Sequence, residues 1–248
     1  MKPSDARLPG ALPISATTEA APSMPDYAAL DIPARDQGTA VSRAEAEFMY
    51  ALVARLKPKA TLEVGMGYGA SAAFIISAAR ATEYTQYTQY THFAMDPMQS
   101  DYHDLGLRNV AKLGLDGFMR FMPEYSHVAL PKLCVEGVKV DFAIIDGGHR
   151  FDDIFLDFYY AELLLNEGGH ILLHDAWMRS TQTVASWVRK NKANFEQVPI
   201  PMKNLILFRK RGVDDRAWNH FRGFGTWKSL ASHSWNTLKR RLRAASGR

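Results

Sequence analysis

The stretch TLEVGMGYGASAAFI, Thr61 to Ile75, places three glycines on alternate positions, Gly65, Gly67 and Gly69, directly after a short apolar run that holds one acid, Glu63. A strand that ends in a glycine-rich turn and opens a helix brings bare backbone and a helix N-terminus close to a ligand. Two readings fit the series Gly65-Met66-Gly67-Tyr68-Gly69-Ala70. Taken as Gly65, Gly67 and Ala70, it satisfies the dinucleotide spacing in which the third small residue packs helix on strand. Taken with Glu63, it presents a carboxylate that suits an ammonium group and would repel a pyrophosphate.

Outward from this loop, short apolar runs alternate with helical stretches. The pattern predicts strands over 61–64, 92–95, 118–121, 140–145, 170–174, 195–199 and 204–210. Helices are expected over 69–80, 104–114, 126–135, 151–166 and 181–192. An earlier helix starts at Ser42, three residues before Glu45 as in a capping box, carries Phe48, Leu52 and Leu56 on one stripe, and stops at Pro58. Strands alternating with helices imply a parallel sheet covered on both faces. The runs FAIID and HILLHD are apolar on both sides, as buried parallel strands are. The last two strands are joined through PIPMK, too short for a crossover helix, so they must run antiparallel. The expected fold is α/β, a Rossmann-like doubly wound sheet of about seven strands, mostly parallel with an antiparallel last strand. The repeat YTQYTQYT, Tyr84 to Thr91, reads as a tolerated insertion that lengthens one helix-to-strand connection.

Three regions follow from composition: a Pro-, Ala-, Ser- and Thr-rich leader over 1–25, a domain over 26–212, and a basic helical extension over 213–248. The 248 residues suffice for one α/β domain, and no apolar run is long enough for a spanning helix. No apolar stretch of signal-peptide type follows the first residues, and the lone Cys134 offers no internal disulfide, so a reducing, cytoplasmic setting is expected. The net charge of +4 is misleading, because residues 227–248 hold Lys228, Lys239, Arg240, Arg241, Arg243 and Arg248 with no acid. The rest of the chain is slightly acidic, which argues against a nucleic-acid partner. Trp227, Leu230, Trp235, Leu238 and Leu242 fall along one side of an expected helix opposite those cations. Such a segment suits contact with the inner membrane face; docking on the chain's own body or on a second subunit of a homodimer is the other expectation.

The segment EVGMGYG matches the (D/E)-x-G-x-G-x-G motif of the class I S-adenosylmethionine-dependent methyltransferases, which the chain resembles from about residue 35 to 210. The resemblance implies S-adenosyl-L-methionine as cofactor, bound by Glu63, Gly65, Gly67 and Gly69, with Asp96 of HFAMD holding the ribose hydroxyls. The adenine wall is implied at Glu124, Tyr125 and Ser126. The stretch VDFAIIDGGHRFDDIFLDFYYAELLLNEGGHILLHDAW resembles the small-molecule O-methyltransferase branch that includes macrolide-sugar and caffeoyl-coenzyme-A-type enzymes. There, acids ending the fourth and fifth strands often hold a divalent cation, which implies Asp146 and Asp175 as metal ligands and Mg²⁺ as a candidate cofactor. Where the branch commonly has Asp or Asn beside the second ligand, this sequence has His174 before Asp175; His149 is a further candidate ligand.

Methyl transfer to a hydroxyl requires an in-line acceptor oxygen and removal of its proton. His149 is the candidate base, since imidazole titrates near working pH. A cation on Asp146 and Asp175 would serve the same end by acidifying a coordinated hydroxyl, so Asp146 is also a candidate catalytic residue. Trp177 is expected on the substrate wall, with Arg179 beside it to recognise a carboxylate or phosphate. The implied acceptor is a small molecule or a glycan. Rival readings are a nicotinamide-dependent oxidoreductase and a non-catalytic cofactor-binding scaffold. A base-amine methyltransferase would carry an Asn-Pro-Pro-aromatic motif where this chain has IDGGH.

Overall fold

The structure, a computed structural model, describes residues 23–38, 40–81 and 90–225. Helix α1 (Arg43–Leu56) opens with the capping box: the Ser42 side chain accepts from the Glu45 N–H, and the Ser42 N–H donates to Glu45 Oε2 at 2.9 Å. Then follow β1 (Ala60–Val64), α2 (Ala70–Arg80), β2 (Thr91–Met95), α3 (Leu105–Lys112), β3 (Met119–Met122), α4 (Ser126–Val135), β4 (Val140–Ile145), α5 (Phe151–Leu164), β5 (Leu165–Leu173), α6 (Arg179–Asn191), β6 (Phe195–Val198) and β7 (Ile206–Lys210).

The seven strands lie in the order β3-β2-β1-β4-β5-β7-β6. All neighbouring pairs from β3 to β5 are parallel; β7 runs antiparallel to both β5 and β6. The antiparallel hairpin is therefore present, with β7 inserted between β5 and β6. Winding starts at β1, proceeds outward to β3, then reverses to β4 on the other side of β1. That reversal opens a crevice at the C-terminal ends of β1 and β4, where an open α/β sheet receives its ligand.

Two apolar layers cover the sheet. One joins α1 and α2 to Phe142, Ile144 and Leu172, and the other joins α4, α5 and α6 to Leu62, Val64, Ala143 and Ile145. Alternation along β1 thus sends Leu62 and Val64 to one face and Thr61 and Glu63 to the other. The polar side chains on that second face form a buried chain: Tyr90 Oη to Thr61 Oγ1 at 2.6 Å, Thr61 Oγ1 to His92 Nδ1 at 2.7 Å, and His92 Nε2 to Glu63 Oε2 at 2.9 Å. Ser71 of α2 completes it by donating to Glu63 Oε1. Each group has a partner, which is the condition for burying so much polarity.

Some boundaries differ from the sequence reading. Strand β5 begins at Leu165, inside the span expected to be helical, because the Leu165 carbonyl region already pairs with Val140 before a register shift leads into His170–Leu173. Tyr90 and Thr91, read as the end of the insertion, belong to the core and to β2; residues 84–89 of that repeat lie outside the described residues. The extension expected to be helical from 213 runs without helix or strand over 213–225, and the amphipathic pattern of 227–248 lies outside the described residues. Among the described residues no helix is long and apolar enough to cross a membrane.

Candidate active site

The crevice is a cavity of about 700 Å³, a size suited to a nucleotide-sized ligand with a second small molecule beside it. The glycine loop forms its floor through Gly65 and Gly67. Gly65 has φ +84°, and a Cβ there would sit 2.3 Å from the Asp146 carbonyl oxygen, so only glycine lets the β1 and β4 loops cross this closely. Gly69 is off the cavity wall. Its Cβ would meet the Gly106 carbonyl at 2.7 Å, so this glycine serves the packing of α2 on α3 rather than the approach of a ligand.

Glu63 does not reach the cavity either. It is wholly buried beneath the loop, its two oxygens taken by Ser71 and His92. The expectation of a direct cofactor contact is corrected on that ground: residue 63 shares a face with Thr61, and that face points inward. Its charge acts on the start of α2 instead, through Ser71, which does line the cavity.

Asp96 ends β2 on the cavity wall and clamps the loop. Oδ2 accepts from the N–H groups of Met66 (3.1 Å) and Gly67 (2.8 Å) and from Gln99 Nε2 (3.1 Å). Oδ1 accepts from the Met98 N–H at 2.7 Å and keeps a lone pair for a further donor. Gln99 also donates to the Gly67 carbonyl at 2.8 Å, a role that no sequence pattern announced. Ser126 and Tyr125 line the wall at the start of α4, whereas Glu124 turns away to Lys132 Nζ at 2.7 Å.

The other end of the cavity is acidic. Asp146, His149 and Asp175 each present a ligand atom, all within 4.8 Å of one another. His149 Nε2 is 3.4 Å from Asp175 Oδ2. Asp175 has φ +52°, a left-handed conformation that is costly for a residue with a Cβ and typical of constrained sites. Behind these groups lies His174, with Nδ1 at 2.9 Å from Asp146 Oδ1 and 3.5 Å from Asp175 Oδ1, and Nε2 at 3.5 Å from Glu45 Oε1. Burial opposes the imidazolium, but Asp146 and Glu45 outweigh it and carry His174 up to about 10. Burial pushes the Asp146 carboxyl up, with His174 opposing. Burial likewise resists the Glu45 charge, yet the hydrogen bonds of His174, Ser42 and Asn204 hold it well below the usual carboxylate range. The capping acid of α1 is thereby also a counter-ion of the site.

Two carboxylates and one imidazole facing a common space fit a divalent cation of mixed nitrogen and oxygen preference. The His174 cation offsets one of the two carboxylate charges, which weakens the pull on a hard ion such as Mg²⁺.

Trp177 stands outside the cavity, exposed, its indole donating to Asp175 Oδ1 at 2.9 Å. Arg179 heads α6 off the wall, and the cation lining the cavity is Arg150. Tyr102, Met98 and the N-terminal residues Ala40 and Val41 complete the wall. One further acid was not anticipated. Asp157 on α5 is buried, and burial lifts it to about 7, with the Ser126 hydroxyl opposing.

Residues 62–176 match the family described as a methyltransferase domain. The fold is similar to that of cofactor-bound Rv0187 from MTB, with a TM-score of 0.60 and 15% identity over 73% of this chain and 84% of that one. It is similar to the O-methyltransferase TomG from Streptomyces achromogenes in complex with SAM (TM-score 0.57, 13% identity, 70% and 82% of the two chains). The O-methyltransferase from Bacillus cereus in complex with SAH gives a TM-score of 0.56 at 14% identity, covering 69% of this chain and 83% of that one. No curated protein sequence matches the chain.

Proposed function

We propose that this chain, whose residues 62–176 match a methyltransferase-domain family, is a class I S-adenosylmethionine-dependent methyltransferase that transfers the methyl group to a hydroxyl of a small-molecule acceptor. The observation that carries the reading is the cluster of Asp146, His149 and Asp175 opening into the same cavity as the glycine loop. A hydroxyl, unlike a neutral amine, must lose its proton as it attacks, and this cluster supplies the base beside the acceptor space. The nicotinamide reading of the loop finds no support in the family that matches.

In this mechanism Gly65 and Gly67 would hold the cofactor's amino-acid nucleoside, Asp96 its ribose, and Ser126 and Tyr125 its adenine, and the cofactor would supply an electrophilic methyl group. Asp175 Oδ2, 3.4 Å from His149 Nε2, orients the imidazole, and the other ring nitrogen, Nδ1, takes the acceptor proton. The positively charged His174 pins Asp146 and Asp175 from behind, so neither carboxylate swings when substrate enters. Positioning does the remainder, since the sulfonium already activates the methyl group. A divalent cation held by Asp146, Asp175 and His149 is a second reading, favoured by the 4.8 Å spread of their ligand atoms. Such a cation would acidify an acceptor hydroxyl and fix a neighbouring one.

The test is a titration of the full chain with SAM, SAH and NADH by calorimetry, followed by labelled methyl transfer to a panel of catechols and sugars, with and without chelator. SAM and SAH should bind, NADH should not, and label should appear as a methyl ether. Absence of SAM and SAH binding, or label appearing only on amines, would overturn the reading.

A further inference from the structure

We propose that the buried chain from Tyr90 through Thr61 and His92 to Glu63 keeps an uncompensated negative charge beneath the glycine loop, and that this charge lets the site distinguish a cationic sulfonium donor from its neutral thioether product. The inference rests on the methyl-transfer reading and adds to it residues that do not touch the ligand.

The direction of the hydrogen bonds carries the argument. Tyr90 Oη meets Thr61 Oγ1 at 2.6 Å, and its buried phenol proton goes there. Burial holds this phenol above its usual range, so the proton is present to be given. Thr61, having accepted, has its own proton to give, and the acceptor within reach is His92 Nδ1 at 2.7 Å. An accepting Nδ1 carries no proton, so the ring proton sits on Nε2 and is donated to Glu63 Oε2 at 2.9 Å. Ser71 donates to the other carboxylate oxygen. Four protons thus meet four acceptors, and none of these side-chain atoms is left unsatisfied. A doubly protonated His92 would turn Thr61 toward Tyr90 and strand the phenol proton in the interior. His92 is therefore a neutral imidazole. Glu63, wholly buried beside it, has no other ion-pair partner among the described residues.

The charge lies one hydrogen bond from the ligand space. Ser71, whose hydroxyl meets Glu63, lines the cavity together with Gly65, Gly67 and Ala70. A glycine turn that opens a helix is ordinarily a seat for anions, because free N–H groups and the helix dipole give it positive potential. A buried carboxylate at the first turn of α2 reverses that sign, and the apolar layers around it screen it little. The counter-ion that the protein withholds is left for the ligand to supply. SAM and SAH share the nucleoside and the amino-acid zwitterion; they differ by one methyl group and the sulfonium charge that comes with it. Glu63 favours the charged member of that pair, which promotes exchange of spent product for fresh donor.

The experiment measures SAM and SAH affinities of the full chain by calorimetry for the wild type, Glu63→Gln and Glu63→Asp, together with the ring-nitrogen NMR spectrum of His92 in ¹⁵N-labelled wild type. Glutamine keeps the shape and can still accept from His92 while its amide donates to Ser71, so it removes chiefly the charge. Glu63→Gln should weaken SAM about tenfold or more relative to SAH, whereas Glu63→Asp should keep the wild-type ratio. His92 should show one protonated nitrogen, Nε2, at neutral pH. Equal losses of SAM and SAH in Glu63→Gln would overturn the proposal, since a residue that merely braces the loop affects both ligands alike. An imidazolium or an Nδ1–H ring at His92 would overturn it as well, and this spectrum decides the matter if Glu63→Gln does not fold. Wild type that binds neither SAM nor SAH would overturn the methyl-transfer reading and this inference with it; binding of both with a ratio indifferent to Glu63→Gln overturns this one alone.

Discussion

His174 Nδ1 lies 2.9 Å from Asp146 Oδ1, and the imidazole between them and Glu45 is a buried cation. It joins the end of β5 to the end of β4 and, through Glu45, to the cap of α1. Replacing it with leucine leaves three carboxylates without their counter-ion, and we expect a loss of about 3 kcal/mol in urea unfolding. The sign of its pH dependence follows from a folded-state value raised from 6.5 to about 10. The stabilisation is complete below 6.5 and disappears as pH rises toward 10. The stability gap between wild type and His174→Leu should therefore narrow over that interval. A gap constant across it would mean that the residue acts by packing alone.

His149→Ala should lower kcat by about 10²-fold or more, with SAH affinity intact, since the imidazole faces the acceptor end and not the nucleoside end of the cavity. Added imidazole should restore part of the activity if the side chain carries the proton. Rescue by a divalent cation instead, together with complete inactivation by chelator, would assign the residue to metal binding.

The glycines of the loop should separate in their effects. Gly65→Ala drives a Cβ to 2.3 Å from the Asp146 carbonyl at φ +84°, and we expect thermal unfolding to shift by many degrees, a loss of about 3 kcal/mol or more. Gly67→Ala meets no atom within 4 Å, so its fold should lose only about 1 kcal/mol from the backbone conformation. Its cost should fall on SAM affinity, because the added methyl group stands on the cavity floor. Equal stability losses at the two positions would contradict the crossing of the β1 and β4 loops.

Asp157→Asn should stabilise the protein in neutral and alkaline solution. The carboxyl is raised from 3.8 to about 7, so the folded state binds a proton that the unfolded state has released, and stability falls as pH climbs between those values. The variant should exceed wild type by a few kcal/mol at most above pH 7 and converge with it near pH 4. If it is less stable at every pH, the acid has a partner that the asparagine cannot replace.

Much of this protein is legible without coordinates. The capping box at Ser42, the switch from period two to period three or four, the glycine run after β1 and the short PIPMK link are local features, and local sterics and hydrogen bonding suffice to turn them into elements. Asp96, Asp146, His149 and Asp175 were accessible for a related reason: each follows the C-terminal end of a parallel strand, where an α/β sheet collects its ligand groups. Glu63 shows how far that goes. Its position in the motif suggested a ligand contact, and only the packing of Ser71 and His92 around it showed that both its oxygens are taken.

What only the tertiary structure decided depends on residues brought together from distant turns. The insertion of β7 between β5 and β6, the service of Glu45 as counter-ion to His174, the clamp of Gln99 on Gly67, and the burial of Asp157 under Ser126 leave no mark on periodicity. Each is a meeting of groups far apart in the chain, and its energy comes from desolvation and charge pairing in a shared interior. Those quantities exist only once the surrounding surfaces have closed.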